Sequence, residues 1–160
     1  MEKFVFFLPF VVFVLVKANH EHHHAASLHH EHEAAYVVKT HDDLIRYRNL
    51  CAEQVNANVD AVDKYKQWKY PDDETTRCYL KCVFEQFGFF DANKGFDVHK
   101  VHEQLAGGSG TVDHNDETHT KIESCADNNS QGSDACTWAY RGGMCFLRSN
   151  LQLVKQSVHS

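Results

Sequence analysis

From Thr40 onward the apolar positions fall at helical steps rather than alternating, and they predict an all-α body. Thr40 and Asp43 have the spacing of an N-cap followed by an acid at N3. Leu44, Tyr47, Cys51 and Val55 then share one stripe, with Arg46, Arg48 and Glu53 between them. A short amphipathic piece runs from Asp60 to Trp68. Pro71-Asp72-Asp73-Glu74 starts a third helix with acids in its first turn, where the helix dipole favours them. Leu80, Val83, Phe84 and Phe87 line the apolar stripe of that helix, and Gly88 ends it. Asp97 caps a fourth helix, in which Val98, Val101 and Leu105 alternate with His99, His102 and Glu103. Gly107-Gly108-Ser109-Gly110 reads as a loop. A fifth helix covers Asn115 to Ala126, and a sixth starts near Ser133 and passes Cys136, Ala139, Tyr140, Cys145, Phe146 and Leu147. No useful length alternates with period two, and there is no internal repeat.

The first 39 residues have a different character. Phe4 to Val16 is an apolar run of 13, interrupted by Pro9 and preceded by Lys3. That is shorter than the roughly 17–25 residues of a membrane-spanning helix. With Val16 and Ala18 as the small residues before a cleavage point, residues 1–18 read as a secretory signal peptide. Residues 19–39 form a histidine-rich lead that holds seven of the 13 histidines and has no apolar periodicity, so a flexible tail is expected. His20, His22, His23 and His24 could hold Zn²⁺ or Cu²⁺ weakly. After cleavage at Ala18, however, no histidine falls at the third position that an amino-terminal copper site requires.

Charge and chemistry narrow the picture. Sixteen basic against 22 acidic residues give a net charge of −6, a field that repels phosphate backbones and argues against nucleic-acid partners. No second apolar run approaches spanning length, so an exported chain without a transmembrane segment is expected. His114 to His119 lacks His-Glu-x-x-His spacing, and Asp91-x-Asn93-x-Gly95 begins like a calcium loop but brings its glycine one position early. Neither a nucleophile motif nor a cofactor fingerprint occurs, and the chain reads as a non-enzyme without cofactor. Asn128-x-Ser130 is a formal glycosylation sequon.

The six cysteines carry the sharpest signal. Cys51, Cys78, Cys82, Cys125, Cys136 and Cys145 are separated by 26, 3, 42, 10 and 8 residues. In an oxidising compartment they read as three bridges. Cys78 and Cys82 lie one turn apart on one helix face and cannot comfortably bond each other, so the third helix must be stapled to two partners. Six cysteines still allow fifteen pairings, and sequence alone does not choose among them.

Three residues between the second and third cysteines and eight between the fifth and sixth resemble the signature of insect odorant-binding proteins, the pheromone- and general-odorant-binding family. Gly88-Phe89-Phe90-Asp91 followed by Lys94-Gly95-Phe96-Asp97-Val98 resembles the family's turn into its fourth helix. Cys136-x-x-Ala139-Tyr140 and Cys145-Phe146 resemble its sixth, and the likeness covers about Thr40 to Val154. The resemblance implies an all-α fold of about six helices around an apolar cavity, spanning residues 40–160 and stapled by Cys51–Cys82, Cys78–Cys136 and Cys125–Cys145. It also implies a secreted carrier of small hydrophobic ligands such as odorants, pheromones or related lipids, working in sensillar lymph or haemolymph. A membrane olfactory receptor is an implied further partner, and the implied state is a monomer or weak homodimer.

Phe84 and Phe87 from the third helix, Val101 and Leu105 from the fourth, and Trp138 and Phe146 from the sixth are the expected pocket residues. Burying about 300 Å² of ligand is worth roughly 7 kcal/mol before entropic costs, which leaves micromolar affinity or weaker. The short tail from Leu151 to Ser160 carries Leu151, Leu153 and Val154, enough to plug such a pocket. Two alternatives stay open: a histidine-rich extracellular metal buffer, and a haemolymph, salivary or reproductive-fluid carrier on the same fold. Cys78→Ala is expected to lower the melting temperature more than Phe84→Ala, because it breaks a staple on the central helix; equal melting temperatures would count against the three-bridge framework.

Overall fold

A computed structural model describes residues 35–107, 113 and 115–159. The signal peptide, the lead up to residue 34 with its candidate metal ligands His20, His22, His23 and His24, and the 108–110 part of the glycine loop lie outside the described residues. So does His114. The elements are α1 (His41–Gln54), α2 (Val59–Lys66), α3 (Glu74–Phe87), β1 (Phe90–Asp91), β2 (Gly95–Phe96), α4 (Val98–Leu105), α5 (Glu117–Cys125) and α6 (Ala135–Ser157).

Side-chain caps set the helix starts. Thr40 and Asp43 close a capping box at α1, where Thr40 N donates to Asp43 Oδ2 at 2.9 Å and Asp43 N donates to Thr40 Oγ1 at 3.3 Å. Asn58, Asp73, Asp97, Asp116 and Asp134 cap the other five helices, each accepting from the backbone N–H three residues on. These caps explain why α5 and α6 each begin about two residues later than the sequence pattern suggests, at the residues after Asp116 and Asp134. Gly88 ends α3 at a φ of 77°, a left-handed conformation that glycine adopts without Cβ strain.

Two features depart from the helical pattern. Between α3 and α4 the chain makes a minimal antiparallel hairpin with Phe90 opposite Phe96 and Asp91 opposite Gly95. Asp91 Oδ1 accepts from the backbone N–H groups of Asn93 and Lys94 at 2.8 and 3.0 Å, so the Asp91-x-Asn93-x-Gly95 segment is a side-chain-capped turn. The second departure is at the C-terminus. Leu151 to Ser157 continue α6 as helix beyond a break at Asn150, whose φ is −131°. Asn150 Nδ2 donates to the Phe146 carbonyl at 3.1 Å, so a side chain takes part in the ladder at the bend.

α3 is the central strut. Cys82 bonds Cys51 of α1, and Cys78 bonds Cys136 of α6. The third bridge, Cys125–Cys145, ties α5 to α6. One buried cluster joins α1, α2 and α3 through Leu44, Tyr47, Tyr65, Tyr79 and Leu80, with Tyr65 stacked on Tyr79 at a centroid distance of 4.0 Å. A second holds Phe90, Trp138 and Ala139, and a third holds Val101, Ile122 and Phe146. No helix among the described residues is long and apolar enough to cross a membrane.

Candidate binding cavity

A cavity lies between these clusters, walled by α1, α3, α4, α5 and α6 and by the Trp68–Tyr70 segment. The space that the centre of a water molecule can reach is about 80 Å³. One water needs roughly 10–15 Å³ of such space, so the cavity admits several waters or a small organic molecule. Leu80, Val83, Phe84 and Phe87 from α3 form one wall, in line with their stripe. Val101 and Leu105 from α4, Ile122 from α5, Phe146 and Leu147 from α6, and Phe89 and Phe96 from the connection between α3 and α4 complete the lining.

Five of the six expected pocket residues, Phe84, Phe87, Val101, Leu105 and Phe146, meet around this space. Trp138 does not. It shares a stripe of α6 with Gly142 and Phe146 but sits a turn further toward the N-terminus, level with the hairpin. There it packs edge-on against Phe90 with centroids 5.3 Å apart, and its Nε1 donates to the Asp127 carbonyl at 3.1 Å. Gly95 makes room for it, since a Cβ at that position would lie 2.5 Å from Cζ2 of the indole.

Two glycines in the middle of α6 give the cavity its width. A Cβ on Gly142 would come within 2.7 Å of Phe96, and one on Gly143 within 2.2 Å of Phe84. Adjacent glycines inside a helix each cost about 1 kcal/mol relative to alanine. They allow both phenyl rings to lie against the helix backbone and so leave the centre open. A glycine pair among helix formers is visible in sequence as a mark of close approach, and it points to this wall.

The C-terminal end of α6 shuts the remaining side with Val154, Ser157 and Val158. Gln104 of α4, only 3% exposed, holds it there. Gln104 Nε2 donates to the Ser157 carbonyl at 3.0 Å and to the Lys39 carbonyl at 2.9 Å. Its Oε1 accepts from Lys39 N at 2.7 Å and from the Tyr36 hydroxyl at 2.9 Å. Tyr36 to Lys39 therefore run as an extended strap beside α4, where composition alone suggests loose chain. The imidazoles of His41 and His159 lie against each other across the same seam, 4.7 Å between centroids. Burial, with the nearby Tyr47, Glu103 and Asp43, pushes the Tyr36 hydroxyl pKa up, so it remains a donor across the neutral range.

The polar groups on the wall are few. Ser157 Oγ donates to the Val154 carbonyl, and all four of the Gln104 hydrogen-bonding positions are occupied. Arg48 of α1 stacks over Trp68 at 4.3 Å and donates from Nη2 to the Tyr70 hydroxyl at 3.2 Å. The cavity is thus an apolar void with a hydrogen-bonded closure and one polar end.

The PBP/GOBP family profile matches residues 33–149, which includes every helix up to the bend in α6. The chain belongs to the PBP/GOBP family. General odorant-binding protein 99b of Drosophila melanogaster is 56% identical over 123 residues, covering 77% of this chain and 83% of that protein. Odorant-binding protein 22 of Aedes aegypti is 41% identical over 125 residues, covering 78% and 87%. Among solved structures, Anopheles gambiae odorant-binding protein 22a with the bound odorant cyclohexanone superposes with a TM-score of 0.55 at 23% identity, covering 69% of this chain and 93% of that one. That superposition is a likeness of fold. Within the family frame, the strap and the Gln104 lock make the closure of the cavity depend on the segment before α1 and on the end of α6 together.

Gln104→Leu keeps the size of the side chain and removes its hydrogen bonds to the strap and to Ser157. It is expected to cost about 2–3 kcal/mol in denaturant unfolding and to speed amide hydrogen exchange at residues 154–158 before exchange elsewhere. Unchanged exchange in that segment would show that Gln104 does not hold the closure.

Proposed function

We propose that this protein is a secreted carrier that takes a small apolar molecule into the α1–α3–α4–α5–α6 cavity and moves it through an aqueous fluid. The observation that carries the reading is the void itself, lined by Phe84, Phe87, Val101 and Phe146 in a chain of 160 residues that could have been packed solid. Membership of a family whose mosquito member has been crystallised with an odorant supports it. In this reading residues 1–18 are the secretion signal, the ligand is an odorant, pheromone or related lipid, and a membrane olfactory receptor is the recipient. The carrier works as a monomer or weak dimer. It performs no chemistry on its cargo.

Enclosure favours the carrier role energetically. Apolar contact on most sides stabilises a small ligand by roughly 25 cal/mol per Å² removed from water, and the cost of immobilising it takes back much of that. The resulting affinity permits release.

The two tryptophans provide the test. Trp68 lines the cavity and Trp138 does not. Titration with an apolar ligand is expected to change the emission of the wild type and of Trp138→Phe, and to leave Trp68→Phe almost silent. A ligand response that follows Trp138 would place the binding site elsewhere.

A further inference from the structure

The Trp68 end of the cavity has an unusual electrical balance. Three other arginines are neutralised by carboxylates: Arg46 by Asp43, Arg77 by Asp72 and Arg141 by Asp127. Arg48 has no carboxylate partner among the described residues. Its guanidinium is held instead by the Trp68 face and the Tyr70 oxygen, both of which leave its charge uncompensated. Lys155 brings a second cation, its ammonium, to 6.0 Å from the centroid of the same indole ring. In a chain of net charge −6, this is a local concentration of positive charge against an apolar void.

A hydroxyl donor at this end is also unspent. Tyr70 accepts from Arg48, and its own O–H has no acceptor among the described residues. Burial pushes the pKa of that hydroxyl up while the Arg48 guanidinium opposes the shift, so the group keeps its proton at neutral pH. The other polar wall residues, Gln104 and Ser157, are committed to the closure. What faces the cavity at the Trp68 end is therefore cationic and carries a free hydroxyl donor.

We propose that Arg48 and Tyr70 form a head-group subsite that selects amphipathic ligands bearing a carboxylate, with the hydrocarbon portion lying between α3 and α6. This deepens the carrier reading and rests on it. A guanidinium presents parallel N–H groups that fit a carboxylate, and such charge-assisted bonds are stronger than those to a neutral ester. Stacking on Trp68 fixes the plane of the guanidinium before the ligand arrives, which lowers the ordering cost of the contact.

Octanoate and methyl heptanoate have the same heavy-atom composition and differ in charge, so their affinities by isothermal titration at neutral pH isolate the head-group effect. The wild-type protein is expected to bind octanoate about tenfold more tightly. Arg48→Met should bring the ratio close to one, Arg48→Lys should retain part of it, and Tyr70→Phe should reduce it. Circular dichroism melts of each variant establish that the ratio is read on folded protein. Equal affinities in the wild type, or a ratio that survives Arg48→Met, overturn the subsite while leaving the carrier role in place. Binding of neither compound by the folded wild type overturns both.

Discussion

A cage of helices that keeps its centre open gives up the contacts that normally hold a small domain together, and everything else in this molecule answers that constraint. Side chains around a void lose dispersion partners on one side, and the loss grows with cavity volume. The three bridges act on the other side of the balance by restricting the unfolded chain. Their placement matters as much as their number. Cys51–Cys82 and Cys78–Cys136 tie α3 to α1 and to α6, which are walls of the cavity, and Cys125–Cys145 ties α5 to α6. The walls are thus joined covalently, and Cys125 of the third bridge itself lines the space.

The same constraint accounts for the glycine pair and for the closure. Gly142 and Gly143 let Phe84 and Phe96 lie on the backbone of α6, so the rings line the void without filling it. At the far end the wall is made by hydrogen bonds rather than by a covalent link. Gln104 joins α4, the Tyr36–Lys39 strap and Ser157, and these are polar contacts that can be exchanged for water at modest cost. A covalent frame with one polar seam gives a container that keeps its shape and can still admit and lose cargo.

Much of this was legible from local signals. The cap residues Thr40, Asp97 and Gly88 and the stripes on α1, α3 and α4 depend on neighbours a few positions away, and periodicity reports them well, while the order and spacing of the six cysteines can be counted directly. What sequence reading missed is non-local. Arg48 meets Tyr70 across 22 positions and Gln104 meets Lys39 across 65, and nothing in either neighbourhood marks the partner. Trp138 shows the complementary limit. Its stripe on α6 is legible, yet its level along the helix relative to the hairpin, which puts it against Gly95 and not in the cavity, is a tertiary fact. The hairpin itself has two residues per strand, too short for any alternation to register.

The central claim is that the void walled by α1, α3, α4, α5 and α6 is where the ligand sits. Its most direct test is Gly143→Ala, which adds one methyl group at the point where a Cβ would meet Phe84 at 2.2 Å and so drives that ring toward the void. Equilibrium binding of an apolar fluorescent probe should weaken roughly tenfold, the scale of an overpacked site, in protein whose mass shows all three bridges formed. Probe affinity equal to that of the wild type would contradict the account and move the ligand site away from this wall.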